Sequence, residues 1–138
     1  MALYWLELEV PPNTPENNPV EQTIDIEGAL LERIEFCFPP GCAGTTRVAV
    51  FYGPKQLSPR PEGSWARGDG EEIADDIHWP LPEREVTLRV KAWSSATSYK
   101  HTIIVRFYVS AKPLPELAYA IGEASRRAFM RALGFIEI

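Results

Sequence analysis

The sequence predicts an all-β protein: an antiparallel β-sandwich or jelly-roll-like domain over residues 1–112, followed by a C-terminal α-helix and short tail over 113–138. Three observations lead there. Apolar residues recur with a period of two through most of the chain, the spacing of half-buried strands. Thirteen prolines and nine glycines in 138 residues punctuate those runs with turns. The period changes only once, beyond Pro113.

Each element follows from its own pattern. In LYWLELEV (3–10) Tyr4, Leu6, Leu8 and Val10 share one parity while Glu7 and Glu9 take the other, so a strand starts almost at residue 1. PPNTPENNP (11–19) carries four prolines and three asparagines in nine residues and is an extended loop. VEQTIDIEG (20–28) alternates through Ile24 and Ile26 until Gly28 breaks it. ALLERIEFCF (29–38) is a third strand with Ile34, Phe36 and Phe38 in phase. TRVAVFYG (46–53) is the next, rich in valine and aromatics. Residues 54–70 read as a long loop broken by Pro54, Pro59, Pro61, Gly63, Gly68 and Gly70. EEIADDIHWPLP (71–82) supports at most a short strand from Ile73 to Trp79. REVTLRVKAW (84–93) points Val86, Leu88, Val90 and Ala92 inward and Thr87, Arg89 and Lys91 outward. HTIIVRFYVSA (101–111) repeats that pattern with Ile103, Val105, Phe107 and Val109. Six or seven strands with no βαβ alternation make a sandwich or jelly roll.

After Pro113 the period becomes helical. Residues 115–134 carry Pro115 in the first turn, Arg126, Arg127 and Arg131 toward the end and Gly134 at the cap. Leu117, Ile121, Ala124, Ala128, Phe129, Ala132 and Leu133 form a shallow apolar face, and FIEI (135–138) reads as a strand-like tail. Both ends of the chain are thus apolar. They pair inside the domain or reach onto a neighbouring subunit, as edge strands and arms do.

The bulk numbers narrow the function classes. A formal charge of −5 argues against a general nucleic-acid binder. No apolar run approaches the roughly 18 residues of a membrane span. The N-terminus lacks a basic region and has Glu7 and Glu9 inside its apolar stretch, so it does not read as a signal peptide and synthesis in a cytoplasm is expected.

Candidate chemistry is sparse. Cys37 and Cys42, the only cysteines, flank the PPG turn. With two scattered histidines, His78 and His101, they fall short of a zinc site, and the C-x-x-C redox spacing is absent. Two free thiols at a strand end are the favoured reading, and a short-loop disulfide between them is the alternative. GDGEEIADD (68–76) does not match a calcium loop and reads as a solvated acidic loop. No nucleophile, orienting carboxylate or GxSxG motif accompanies either histidine, so no catalytic, cofactor or metal residues are assigned. Exposed tryptophans anchor interfaces or stack on sugars. The interaction candidates are therefore Trp5, Trp65 and Trp93, with Arg126, Arg127, Phe129, Arg131, Phe135, Ile136 and Ile138 in the C-terminal segment.

Several motifs over residues 10–110 carry a resemblance: N-x-P-E-N-N-P-V-E, the strand ending in F-P-P-G-C-A-G, Q-L-x-P, the W-x-x-G-D loop, and an A-W turn before Y-x-H-T-I-x-V-R-F. In this pattern the chain resembles small β-sandwich virion proteins of tailed bacteriophages, particularly those of thermophilic hosts. The resemblance implies a structural, non-enzymatic role in the virion, as a capsid decoration (cement) protein that forms a homo-oligomer, such as a trimer, and binds a major capsid protein. It implies no cofactor, nucleic acid or membrane partner. A tail, neck or spike component is the near alternative. A carbohydrate- or receptor-binding sandwich using Trp65, Trp79 or Trp93 is a second, and a metal-dependent jelly-roll enzyme that clusters His78, His101 and carboxylates is a third.

Overall fold

The computed structural model describes residues 2–110. Within them lie nine strands: β1 (Ala2–Val10), β2 (Val20–Glu27), β3 (Leu30–Phe38), β4 (Thr46–Tyr52), β5 (Lys55–Ser58), β6 (Ala66–Arg67), β7 (Glu71–Pro80), β8 (Glu85–Ser94) and β9 (His101–Ser110). They form two antiparallel sheets. The first has the order β1-β9-β3-β7, and the second β2-β8-β4-β5, with β6 also paired to β4.

The pairings have a simple logic. β1 pairs β9, β2 pairs β8, β3 pairs β7 and β4 pairs β5, so the first half of the chain runs back along the second as one long hairpin. Successive strands β1 to β4 alternate between the sheets, and the hairpin closes on itself through β3–β9 and β4–β8. This is the connectivity of a jelly roll. The N-terminal strand therefore pairs along its whole length inside its own domain.

The core lies between the sheets and follows the alternation. Leu6, Leu8, Val10, Ile34, Phe36, Ile103, Val105 and Phe107 of the first sheet meet Ile26, Val48, Val50, Val86, Leu88 and Val90 of the second in one buried cluster. Phe36 and Phe107 are its largest fully buried side chains. Burying each removes enough apolar surface from water to contribute about 1.5–3 kcal/mol.

Two sequence expectations need correction. The Pro/Gly-rich segment 54–70 is not all loop: β5 and β6 lie in it, short strands on the same flank of β4. The acidic segment is no solvated loop either. β7 spans ten residues, Glu71–Pro80, and pairs with β3 along its length. Its inward positions Ile73, Asp75, Ile77 and Trp79 are only half-buried because β7 is an edge strand. Near its end the register with β3 shifts between Leu31 and Arg33, and His78 there adopts the left-handed φ of 45°. The expected helix at 115–134, the FIEI tail and the domain boundary at 112/113 lie outside the described residues.

Candidate interaction surfaces

Strand parity decides what the first sheet shows to the outside. With Tyr4, Leu6 and Leu8 turned inward, Leu3 and Trp5 point out and are 53% and 56% exposed. Across the β1–β9 ladder Leu3 faces Tyr108, Trp5 faces Arg106 and Glu7 faces Ile104, so an apolar stripe of Leu3, Trp5, Ile104 and Tyr108 runs along the border. The far edge of β1 has no strand partner among the described residues. Trp5, singled out in the sequence, therefore sits on the edge strand of this sheet as the described residues form it.

A polar network lies beside this stripe. Glu35 is buried at the centre of the sheet's outer face and accepts a 2.7 Å hydrogen bond from the Tyr108 hydroxyl. Arg106 donates to Glu72 at 3.1 Å and approaches Glu35 at 3.6 Å. Arg33 Nε donates to Asp76 at 2.6 Å. The bond to the Glu35 carboxylate pushes the Tyr108 phenol up, because ionising it would lose the donor. Arg33 holds Asp76 below the usual carboxylate range by hydrogen bond and charge.

The second sheet's outer face holds the other two candidate tryptophans, Trp65 and Trp93. The Arg47 guanidinium lies 4.4 Å over the Trp93 ring, a cation–π contact. Trp65, carried on the segment before β6, meets Trp93 edge-on at 6.1 Å and donates its Nε1–H to Glu16 at 2.9 Å. Arg47 Nε and Trp93 Nε1 are buried without a hydrogen-bond partner among the described residues. The structure thus brings Trp65 and Trp93 together and leaves Trp5 on the opposite sheet. The proposed contact residues Arg126, Arg127, Phe129, Arg131, Phe135, Ile136 and Ile138 lie outside the described residues.

The remaining candidates are scattered. Cys37 and Cys42 are free thiols: Cys42 is in the core cluster, whereas Cys37 points outward beside Glu72. Burial is the main cause that pushes both thiols up, which lowers the thiolate fraction. His101 opens β9 opposite Val10, while His78 lies at the other end of the sheet, where Pro80 and Ser110 both pair with Leu30. Roughly 25 Å of strand separates them. Among the described residues no group of three or more His, Cys, Asp or Glu side chains is placed to hold a metal ion.

The acidic run is tied down residue by residue. Asp69 accepts from the Gly41 N–H, Asp75 from the Ser58 hydroxyl, and Glu72 and Asp76 pair with Arg106 and Arg33. Between β5 and β7, where the two sheets part, is an open groove of about 520 Å³ lined by Leu57, Ser58, Ile73, Asp75, Ile77 and Trp79.

No protein-family model matches this chain, and no curated protein matches it. Among solved structures it is similar to a chain of infectious bursal disease virus, Gt strain, with 9% identity and a TM-score of 0.39 over 83% of this chain and 31% of that one. It is similar also to the VP2 subviral particle of infectious bursal disease virus, with 10% identity and a TM-score of 0.33 over 80% of this chain and 33% of that one. For the Gx strain the identity is 12% and the TM-score 0.34, over 83% and 33% of the two chains. This chain spans about a third of each of those proteins. Likeness at this level carries nothing about function.

Proposed function

We propose that this chain is a non-enzymatic structural protein of a virus particle, a capsid decoration protein that associates with copies of itself and grips the major capsid lattice. The observation that carries the reading is the β1 edge, where Leu3 and Trp5 stand more than half exposed beside backbone that pairs with no strand among the described residues. An edge of that kind accepts another strand or an apolar surface. The motif resemblance over residues 10–110 points the same way. Contacts of this sort are individually weak, but repetition over a lattice multiplies them through effective concentration. The net charge of −5 suits the outside of a shell better than its DNA-facing interior. On this reading the protein is made in the host cytoplasm and resides in the virion.

The test mixes labelled recombinant chain with particles purified from its source and spins them through a density cushion. Wild type is expected to sediment with the particles. A Leu3→Lys/Trp5→Lys variant is expected to stay in the supernatant while melting within about 0.5 kcal/mol of wild type, because exposed positions bear little on the fold. Wild type that never sediments, or a variant that sediments equally well, contradicts the proposal.

A further inference from the structure

The second sheet carries two charge pairs that make no sense within one chain. In the β4–β6 register Arg47 stands directly opposite Arg67. In the β2–β8 register Glu27 stands directly opposite Glu85. Like charges facing each other across strands repel and destabilise the pairing. None of the four side chains has an ion-pair partner among the described residues, although Arg33, Arg60, Arg89, Lys91, Lys100 and Arg106 all do.

The two pairs occupy diagonally opposite corners of one face. All four residues share the outward parity of the second sheet. Glu85 opens β8, whereas Arg47 pairs with Trp93 near its other end, about 26 Å away at 3.3 Å per residue. The glutamates lie at the β2 flank and the arginines at the β4–β6 flank. β2 itself has three acidic residues, Glu21, Asp25 and Glu27, and no basic one. β5 and β6 contribute Lys55 and Arg67 with no acidic residue. Arg89 and Lys91 balance Glu21, so the unbalanced acidic charge of this face gathers at the Glu27–Glu85 corner.

A second observation marks the arginine corner independently. The Arg47 guanidinium rests on Trp93, and Arg47 Nε and Trp93 Nε1 are the two buried side-chain donors without a hydrogen-bond partner among the described residues. Those two nitrogens are covered by the chain itself, but tryptophan beside arginine is the composition of interface hot spots.

We infer that the outer face of the second sheet is the self-association surface, on which the Arg47–Arg67 corner of one copy meets the Glu27–Glu85 corner of another. The inference rests on the self-association in the proposed function and names the surface for it. One contact relieves both repulsions, since each carboxylate gains a guanidinium and each arginine a carboxylate. It closes as a pair when both corners are used at one two-fold axis, and as a ring when each copy offers one corner to each neighbour.

The test uses the full-length chain and reads its mass by light scattering after size exclusion, at about 50 mM and about 1 M salt. Wild type is expected to be oligomeric at low salt and to dissociate at high salt. Arg47→Glu/Arg67→Glu and Glu27→Arg/Glu85→Arg are each expected to weaken self-association by at least about tenfold. An equimolar mixture of the two variants is expected to regain the oligomer, because the reversed corners complement each other. Circular dichroism checks that both fold. Should either unfold, the neutralised Arg67→Gln and Glu85→Gln are expected to shift association in the same direction by a smaller factor. Association that neither variant changes, or a mixture of folded variants that stays monomeric, overturns the inference. So does loss of particle binding by the reversed variants with their self-association unchanged, which would assign the surface to an acidic partner protein. None of these outcomes depends on the β1 edge, so the particle-binding proposal stands or falls separately.

Discussion

A methyl group at Gly28 would lie 2.3 Å from Val109 Cγ1 and 3.0 Å from the Ser110 carbonyl oxygen, at a φ of +155°. The chain crosses there from the second sheet to the first with no room for a side chain. Gly28→Ala is therefore expected to lower stability by about 2–4 kcal/mol in a denaturant melt, through overpacking and backbone strain. The glycine was visible in the sequence as a strand break, but its reason, the approach of β9, was not. His78 shows the opposite gap. It stands out in the sequence as a possible ligand, yet its distinctive feature is a left-handed backbone at a register shift. His78→Gly is expected to raise stability by about 0.5–1 kcal/mol in a denaturant melt, because glycine takes the left-handed backbone without a Cβ penalty. Cys37 is legible by parity, outward in phase with Arg33 and Glu35, whereas Cys42 lies in the turn after β3, has no strand phase, and its place in the core is not legible in the sequence. With burial raising both thiols, alkylation of the folded protein is expected to be slow near neutral pH. It should accelerate only as pH rises beyond the ordinary thiol value of about 8.5.

Among the elements, β8 and β9 are the easiest to read because Val86, Leu88, Val90 and Ala92, and Ile103, Val105, Phe107 and Val109, alternate with mostly polar outward positions, Trp93 and Ile104 being the apolar exceptions. β7 was harder. Its inward parity includes Asp75, which the fold accommodates through the Ser58 hydroxyl at an open edge. Its inward positions Ile73, Asp75, Ile77 and Trp79 are only half-buried, so its apolar alternation is faint. β5 and β6, of four and two residues, are too short for any period to show. The candidate surfaces divide in the same way. The outward setting of Trp93 follows from counting along one strand. The Arg47–Arg67 and Glu27–Glu85 oppositions depend on register between distant segments, which no single strand contains. At this scale Glu85→Lys is expected to stabilise the isolated domain by about 0.2–1 kcal/mol in thermal melts, by replacing a repulsive cross-strand pair with an attractive one.

At the scale of the whole molecule, the long-hairpin pairing gives residues 2–110 a closed core of their own, with β9 locked between β1 and β3. Removing residues 113–138 is therefore expected to leave a cooperative melt, measured by circular dichroism. The pH dependence of that melt follows from groups held neutral in the fold. Cys37, Cys42 and Tyr108 all have raised values, so the folded state binds their protons more tightly than the unfolded chain. Their contribution is complete below the unfolded values of about 8.5 and 10, and is lost as pH rises through the folded ones. Stability is expected to decline on the alkaline side, and the decline to shrink in a Cys37→Ser/Cys42→Ala variant.

What unites the three scales is a stable jelly roll whose distinctive residues stand on its edges and outer faces. Its central claim, that the chain is a structural part of a virion, is tested most directly by counting it in particles. Quantitative mass spectrometry of gradient-purified virions from the source of this sequence gives its copy number relative to the major capsid protein. The expected result is a fixed, simple ratio that persists through repeated purification, with the chain accessible to labelling on intact particles. Virions that lack the chain, or hold it only in traces that wash away, would contradict the account.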